Sequence, residues 1–186
     1  MKTHFLMRHL PELIETDRLR LTRLKYEDAE EIFYAYASKL EATRYVSWAT
    51  HQSVADTNRY LRYAVSAWHA GLEYNYSMRL KTNNRLIGSI GAVNDLGKHQ
   101  FGYIISPSNW NQGYATEACK MIIDQLLKVD DVFRIWTFVD VDNTASAKVL
   151  LKSGMKEEVR LTRWHRFVNQ GDQPKDCILY HFPLAI

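Results

Sequence analysis

Asn109-Trp110-Asn111-Gln112-Gly113-Tyr114-Ala115-Thr116-Glu117-Ala118 runs from a loop behind a strand-like segment straight into an amphipathic helix. That order suits an anion. The first turn of a helix carries unpaired N–H groups and the positive end of the macrodipole, so a phosphate can sit there without a side-chain charge. Gly113 admits close approach of phosphates to the backbone, and Ala115 lets the helix lie tightly on the sheet beside it. In isolation, an ordinary glycine-containing loop before a helix reads the same way. Two familiar phosphate loops do not fit: no Lys follows a Gly at P-loop spacing, and one glycine falls short of the three in the dinucleotide fingerprint. The pattern therefore points to a pyrophosphate held almost wholly by backbone.

Working outward, residues 100–106 read as a strand stopped by Pro107, and 74–81 and 85–93 as strands joined through Thr82-Asn83-Asn84, so the three form an antiparallel meander. The helix after the loop is expected to reach about Lys128, with Ala118, Cys119, Ile122, Ile123 and Leu126 inward and Glu117, Lys120, Asp124 and Lys128 facing water. Beyond it lie a strand at 133–139, a helix at 143–152 with Gly154 as C-cap, and two strands, about 155–167 and 176–182, flanking an Asn169-Gln170-Gly171 turn. Toward the N-terminus, 18–24 reads as a strand with Glu15-Thr16-Asp17 as its lead-in, followed by helices at 26–37 and 53–70. The second of these opens on a Ser53 to Asp56 capping pattern and ends at Gly71. The order β, α, α, β, β, β, α, β, α, β, β indicates an α/β domain of the α+β kind. It is built round one twisted, mostly antiparallel mixed sheet flanked by about four helices.

The 186 residues suffice for one domain with its own core, here expected to occupy 15–183 of 1–186, with 1–12 as a mobile tail. Hydrophobic residues at 46% and charged ones at 24% are ordinary for a folded chain and exclude a disordered one. Apolar runs are too short for a membrane span, and the N-terminus lacks the pattern of a signal peptide, so a cytoplasmic protein with no membrane partner is expected. Cys119 and Cys177 read as reduced thiols, Cys119 on the apolar face of its helix. A net charge of +3 with dispersed Lys and Arg gives no nucleic-acid signature. No His, Cys or acidic cluster has metal-ligand spacing; His4 and His9 fall in the expected tail, so no metal is expected.

Four segments in this order resemble the GNAT superfamily of acyl-CoA-dependent acetyltransferases, and within it the Rim-type ribosomal-protein N-acetyltransferases. They are Glu15-Thr16-Asp17-Arg18-Leu19-Arg20-Leu21, Arg85-Leu86-Ile87-Gly88-Ser89-Ile90-Gly91, Trp110 to Ala118, and Asn143-Thr144-Ala145-Ser146-Ala147-Lys148-Val149-Leu150. The resemblance implies a single GNAT-like domain and an N-acetyltransferase that moves an acetyl group from acetyl-CoA to a primary amine within a ternary complex. The family loop begins with Gln or Arg; here Trp110 stands in that position, while Gly113 and Ala115 match. By resemblance, backbone around Gln112, Gly113, Tyr114, Ala115 and Thr116 holds the pyrophosphate. The strand carrying Ile104 and Ile105 splays from the one at 133–139 to admit the pantetheine arm. Asn143 touches that arm, and Ser146 faces the sulfur as proton donor to the leaving thiolate. Read from the residues alone, Asn143 is also a fair N-cap and Ser146 a first-turn residue. Many relatives use a tyrosine as the proton donor, which brings in Tyr103, with Tyr45 and Tyr114 behind it.

A base must take a proton from the acceptor ammonium, and where relatives often carry an acid before the strand's Gly-Tyr, this chain has Gln100. The amine decides how much that matters: an α-amino group of pKa ~7.8 is roughly a tenth neutral at pH 7, whereas a lysine at ~10.4 is neutral in about one molecule in 2,500. The expected acceptor is therefore a protein N-terminal α-amine or a similarly low-pKa amine, a ribosomal-protein N-terminus being the example the resemblance supplies. His99, Glu73, Asp95 and His165 remain as alternative bases. A small-molecule amine acetyltransferase and a non-catalytic acyl-CoA-binding module are the competing readings, and both a monomer and a homodimer are compatible with the sequence. The acceptor side is expected from Arg44 to Trp48 with His51, and from Trp164, His165 and Arg166, so that Trp48, His51 and Gln100 are the candidate substrate contacts.

Overall fold

A computed structural model describes residues 10–184. Its first strand, β1 (Leu13–Glu15), takes part of the expected lead-in and pairs antiparallel with β2 (Leu19–Arg23). Three residues are too few to display the period-two alternation that betrays a strand; β2 does display it, burying Leu19 and Leu21 around exposed Arg20. Ahead of β1, Leu10 is buried and the Pro11 carbonyl accepts the Tyr76 hydroxyl at 2.8 Å, so the end of the expected tail is seated on the sheet; residues 1–9, with His4 and His9, lie outside the described residues.

The segment expected as one helix at 26–37 is a 3₁₀ turn (Tyr26–Asp28), a single α turn, α1 (Ala29–Ile32), and a π turn (Phe33–Ala37). The widening has a local partner: the Ser38 N–H and hydroxyl both donate to the Phe33 carbonyl, at 3.1 and 2.7 Å. A further short helix, α2 (Leu40–Thr43), brings the number among the described residues to five instead of about four. α3 (Val54–His69) opens where the Asp56 carboxylate accepts the backbone N–H groups of Gln52 and Ser53 at 3.1 and 3.0 Å. The meander follows as β3 (Glu73–Leu80), β4 (Leu86–Asp95) and β5 (Lys98–Ile105). Then come α4 (Tyr114–Leu126), β6 (Arg134–Asp140), α5 (Thr144–Lys152), β7 (Lys156–Arg166) and β8 (Pro174–His181).

The eight strands among the described residues join one sheet in the order β1-β2-β3-β4-β5-β6-β8-β7. Every pairing is antiparallel except β5 with β6, and that parallel register covers only Lys98 with Arg134, His99 with Ile135 and Gln100 with Trp136. β5 stays paired with β4 as far as Ile105, opposite Gly88. From Phe101 onward the other edge of β5 therefore faces a gap, and the expected splay is present. Leu19 and Leu21 share one buried cluster with Ala118, Cys119, Ile122 and Leu126 of α4, while Ile32, Tyr36, Leu61 and Ala64 build a second. Arg79 of β3 ties the first helical segment to the sheet: its guanidinium donates to Asp28 and Glu31, each at 2.7 Å, and to the Asn84 carbonyl at 3.0 Å.

Candidate active site

The loop between β5 and α4 is built by backbone conformation. Trp110, at the position where the family has a polar residue, donates its indole N–H to the Ile105 carbonyl at 2.9 Å and so ties the loop to the end of β5. Asn111 and Gly113 then take left-handed conformations, φ +59° and +81°. A Cβ on Gly113 would meet nothing nearer than the Arg18 guanidinium at 3.4 Å, so glycine is required there for its φ more than for its size. The first bond within α4 runs from the Glu117 N–H to the Gly113 carbonyl at 3.1 Å, which leaves the amides of Tyr114, Ala115 and Thr116 outside the helical ladder. Gly113 and these three residues line a cleft of about 920 Å³. Gln112 is not part of that lining; its carbonyl accepts from Arg18 at 3.0 Å and its side chain donates to the Ser108 carbonyl at 3.2 Å.

Glu117, expected to face water, turns back instead onto the N-terminal strand. Its carboxylate accepts from the Thr16 hydroxyl at 2.5 Å, the Arg18 N–H at 2.9 Å and the Arg18 guanidinium at 2.7 Å. Arg18 also lies 4.4 Å from the centre of the Tyr114 ring. Helical spacing puts Glu117 on the polar face; it could not reveal that a strand lies against that face. Burial raises the Glu117 pKa, but the bonds from Thr16 and Arg18 outweigh it and leave the carboxyl below its ordinary 4.5. A depressed folded pKa stabilises fully above the unfolded value and is lost as pH falls through the folded one. Glu117→Gln is accordingly expected to lower the urea midpoint at neutral pH, with the gap to wild type closing between about pH 6 and pH 3. A gap that is independent of pH contradicts this.

Across the cleft, the Tyr103 hydroxyl of β5 donates to the Ser146 hydroxyl of α5 at 3.0 Å, uniting the two candidate catalytic side chains. Asn143 is the N-cap of α5, its side chain accepting the Ser146 N–H at 3.1 Å. Both Asn143 and Ser146 line the cleft, so capping and cleft-lining coincide in these residues. Ile104, Ile105 and Thr137 form its walls where β5 and β6 part. Burial pushes the Tyr103 phenol above its usual range, more than its bond to Ser146 lowers it. Cys119 is fully buried in the core and its thiol is pushed up by that burial, which leaves it no role as a nucleophile.

At the other end the cleft is walled by Trp48, His51 and Gln100, the three candidate substrate contacts, and also by Tyr36, Tyr60 and Phe167. Trp48 and His51 face each other with ring centres 4.9 Å apart. Glu41 is the one carboxylate among the described residues lining the cleft. None of the four alternative bases lines it. His99 is buried without a partner for Nδ1, Asp95 is ion-paired with Lys98 at 3.0 Å, and Glu73 accepts from Tyr63 and Asn75. His165 is packed between Phe138 and Phe167. Trp164 and Arg166 are likewise outside the lining, and Trp164 is exposed. A residue the sequence marks only as part of a turn does more here. Asn169 donates to the carbonyls of Thr43 and Trp48 at 2.7 and 2.9 Å and accepts from the Thr50 N–H at 3.0 Å, clamping the loop after α2 to the terminal hairpin.

A family model described as an acetyltransferase (GNAT) domain matches residues 18–156. The chain belongs to the GNAT acetyltransferases. This GNAT protein is 28% identical over 171 residues to the uncharacterised N-acetyltransferase YoaA of Bacillus subtilis (strain 168), covering 90% of this chain and 94% of that one. Solved structures share its fold: the microcin C7 self-immunity acetyltransferase MccE, in complex with acetyl-CoA and AMP, has a TM-score of 0.84 at 17% identity over 94% of this chain and 97% of its own. The ribosomal-protein-S5-alanine acetyltransferase of Vibrio fischeri has a TM-score of 0.79 at 19% identity over 91% and 94%. The GNAT domain here is thus that of an acetyl-CoA-dependent N-acetyltransferase. Among the described residues no group of three ligating side chains could hold a metal ion, and no helix is long and apolar enough to cross a membrane.

Proposed function

We propose that this acetyltransferase acts on a low-pKa primary amine, the N-terminal α-amine of a protein or peptide. In this reading the pyrophosphate of acetyl-CoA rests on the amides at the start of α4. The pantetheine arm pairs with the free edge of β5 at Ile104 and Ile105 as an added strand would, with Asn143 beside it. The amine nitrogen attacks the thioester carbonyl directly; an N–C bond forms, the C–S bond breaks, and the electron pair leaves on sulfur. Holding both reactants in one cleft supplies much of the rate, and the N–H of Ile105, whose backbone faces away from β4, is the donor for the carbonyl oxygen as it becomes negative. Ser146 gives the thiolate its proton and Tyr103 replaces it, since a phenol held above its usual pKa by burial keeps its proton at neutral pH.

The observation that carries the choice of acceptor is the aromatic, carboxylate-poor character of the cleft beyond Tyr103, where Glu41 is alone as a carboxylate and Gln100 stands in place of an acid. A polyamine or aminoglycoside brings several cations that need several carboxylates to replace their water, and a lysine needs a strong base. The name of one structural neighbour, RimL, a ribosomal L7/L12 alpha-N-protein acetyltransferase, carries the same acceptor class. Thiol release from acetyl-CoA tests the proposal with a free N-terminal peptide, an N-terminally blocked peptide carrying one lysine, and spermidine. The α-amine is expected to have the highest kcat/KM by at least about tenfold at pH 7. Preference for spermidine or lysine overturns the proposal, and acetyl-CoA binding without release to any amine favours a non-catalytic module.

A further inference from the structure

With Gln100 unable to titrate, the proton of the acceptor ammonium needs another destination. The titratable side chains lining the cleft are Glu41, His51, five tyrosines, Lys148 and Lys152. The lysines are cations. A phenol has a pKa near ~10 and holds its proton at pH 7, and burial pushes those of Tyr36, Tyr60 and Tyr103 higher still. Glu41 is exposed on α2, and a carboxylate is a weaker base than an imidazole by about two pKa units. His51 is left, and both its backbone and its ring are held. Its backbone N–H donates to the Ala37 carbonyl at 3.0 Å and fixes the main chain there, its ring Nδ1 lies 2.8 Å from the hydroxyl of fully buried Thr57, and the Trp48 ring lies tilted against it with centres 4.9 Å apart.

From this geometry we infer that His51 is the general base for the acceptor amine, with Nδ1–H donating to Thr57 and the Nε2 lone pair receiving the ammonium proton. The assignment rests on the acetyl-transfer reading above. Nε2 takes one proton from R–NH₃⁺; the resulting R–NH₂ forms the N–C bond as C–S breaks; Ser146 and Tyr103 protonate the CoA thiolate, the surplus proton on nitrogen restores Tyr103 through water, and His51 returns its proton to water. The Thr57 bond persists in both protonation states, so the ring need not reorient during turnover. The charged groups acting on His51 are Asp56 and Arg59, both from α3, while α2 contributes Glu41 to the same cleft. Burial lowers the His51 pKa, Asp56 raises it and Arg59 lowers it, for a net position below 6.5. The imidazole is therefore neutral, as a base must be, throughout the range above 6.5.

His51→Gln tests this, with the best amine of the panel as acceptor so that the assignment is judged separately from the α-amine proposal. For an α-amine, kcat/KM is expected to fall about tenfold at pH 7, the factor set by the neutral fraction of the amine. The deficit should shrink to less than about twofold above the acceptor's own pKa, where the amine arrives without its extra proton, while KM for acetyl-CoA is unchanged. A deficit of equal size at every pH would mean that His51 only binds or packs, and no deficit at pH 7 would remove it from the reaction; either result overturns the assignment. Should the variant lose acetyl-CoA binding, Thr57→Val decides: the same pH-dependent deficit supports the base, and wild-type rates at pH 7 reject it. A wild type that releases no thiol with any amine overturns the acceptor reading and its base together.

Discussion

Gly113→Val is expected to lower kcat/KM for acetyl-CoA about a hundredfold. Gly113 sits at φ +81°, a region in which a β-branched residue is a genuine outlier. Keeping valine there costs on the order of 1–3 kcal/mol. The loop relieves that strain by rotating, and rotation turns the amides of Tyr114 to Thr116 away from a common centre, so the loss falls on the proposed pyrophosphate site. A factor of ten corresponds to about 1.4 kcal/mol, so a hundredfold effect asks for about 2.8 kcal/mol from strain and lost hydrogen bonds combined. Gly113→Asn is the matched control. Asparagine tolerates the left-handed region, as Asn111 does two residues earlier at φ +59°, and this variant should keep most of the activity. Steady-state kinetics on both variants checks the pair; valine at wild-type KM, or asparagine as damaging as valine, would show that φ at this position does not set the cradle.

Arg79→Met is expected to cost the fold about 3–5 kcal/mol, the range for removing one partner of a buried ion pair. The side chains of Arg79 and Asp28 are 12% and 8% exposed, so Asp28 would be left as a buried charge with no cation. Glu31, at 47% exposure, regains water and adds little. Urea denaturation at neutral pH reads the loss as a lower midpoint at constant slope. The smaller effect expected of Glu31→Gln separates the buried limb of the network from the exposed one. A midpoint shift for Arg79→Met no larger than that of Glu31→Gln would locate the stabilisation elsewhere.

The end of the cleft proposed to hold acetyl-CoA is legible in the sequence because its parts are local. A strand, a left-handed glycine, a helix start and an N-capped second helix each leave a pattern within ten residues, and Gly113, Tyr114 to Thr116, Asn143 and Ser146 all reach the cleft. β1 and α2 leave none, being three and four residues long, and the π turn at 33–37 keeps the apolar spacing of a helix. The proposed acceptor side is assembled from positions far apart in the chain. Trp48 and His51 are aromatic enough to suggest a pocket, whereas Phe167 and Asn169 look like the tail of a strand and the start of a turn. Only tertiary contact makes them a wall and a clamp. For the same reason Glu117 reads as a surface residue until the Thr16 and Arg18 segment is laid against it.

The Asn169 clamp also orders events in time. A ribosome delivers the chain from its N-terminus, so β5, α4, β6 and α5 are all available before residue 169 leaves the exit tunnel, and domains begin to fold during synthesis. β8 enters last, between β6 and β7, and the clamp follows Phe167 into place across 121 residues to Trp48. A nascent chain therefore carries every residue proposed to hold acetyl-CoA before Phe167 and Asn169, which complete the proposed acceptor wall, have left the tunnel.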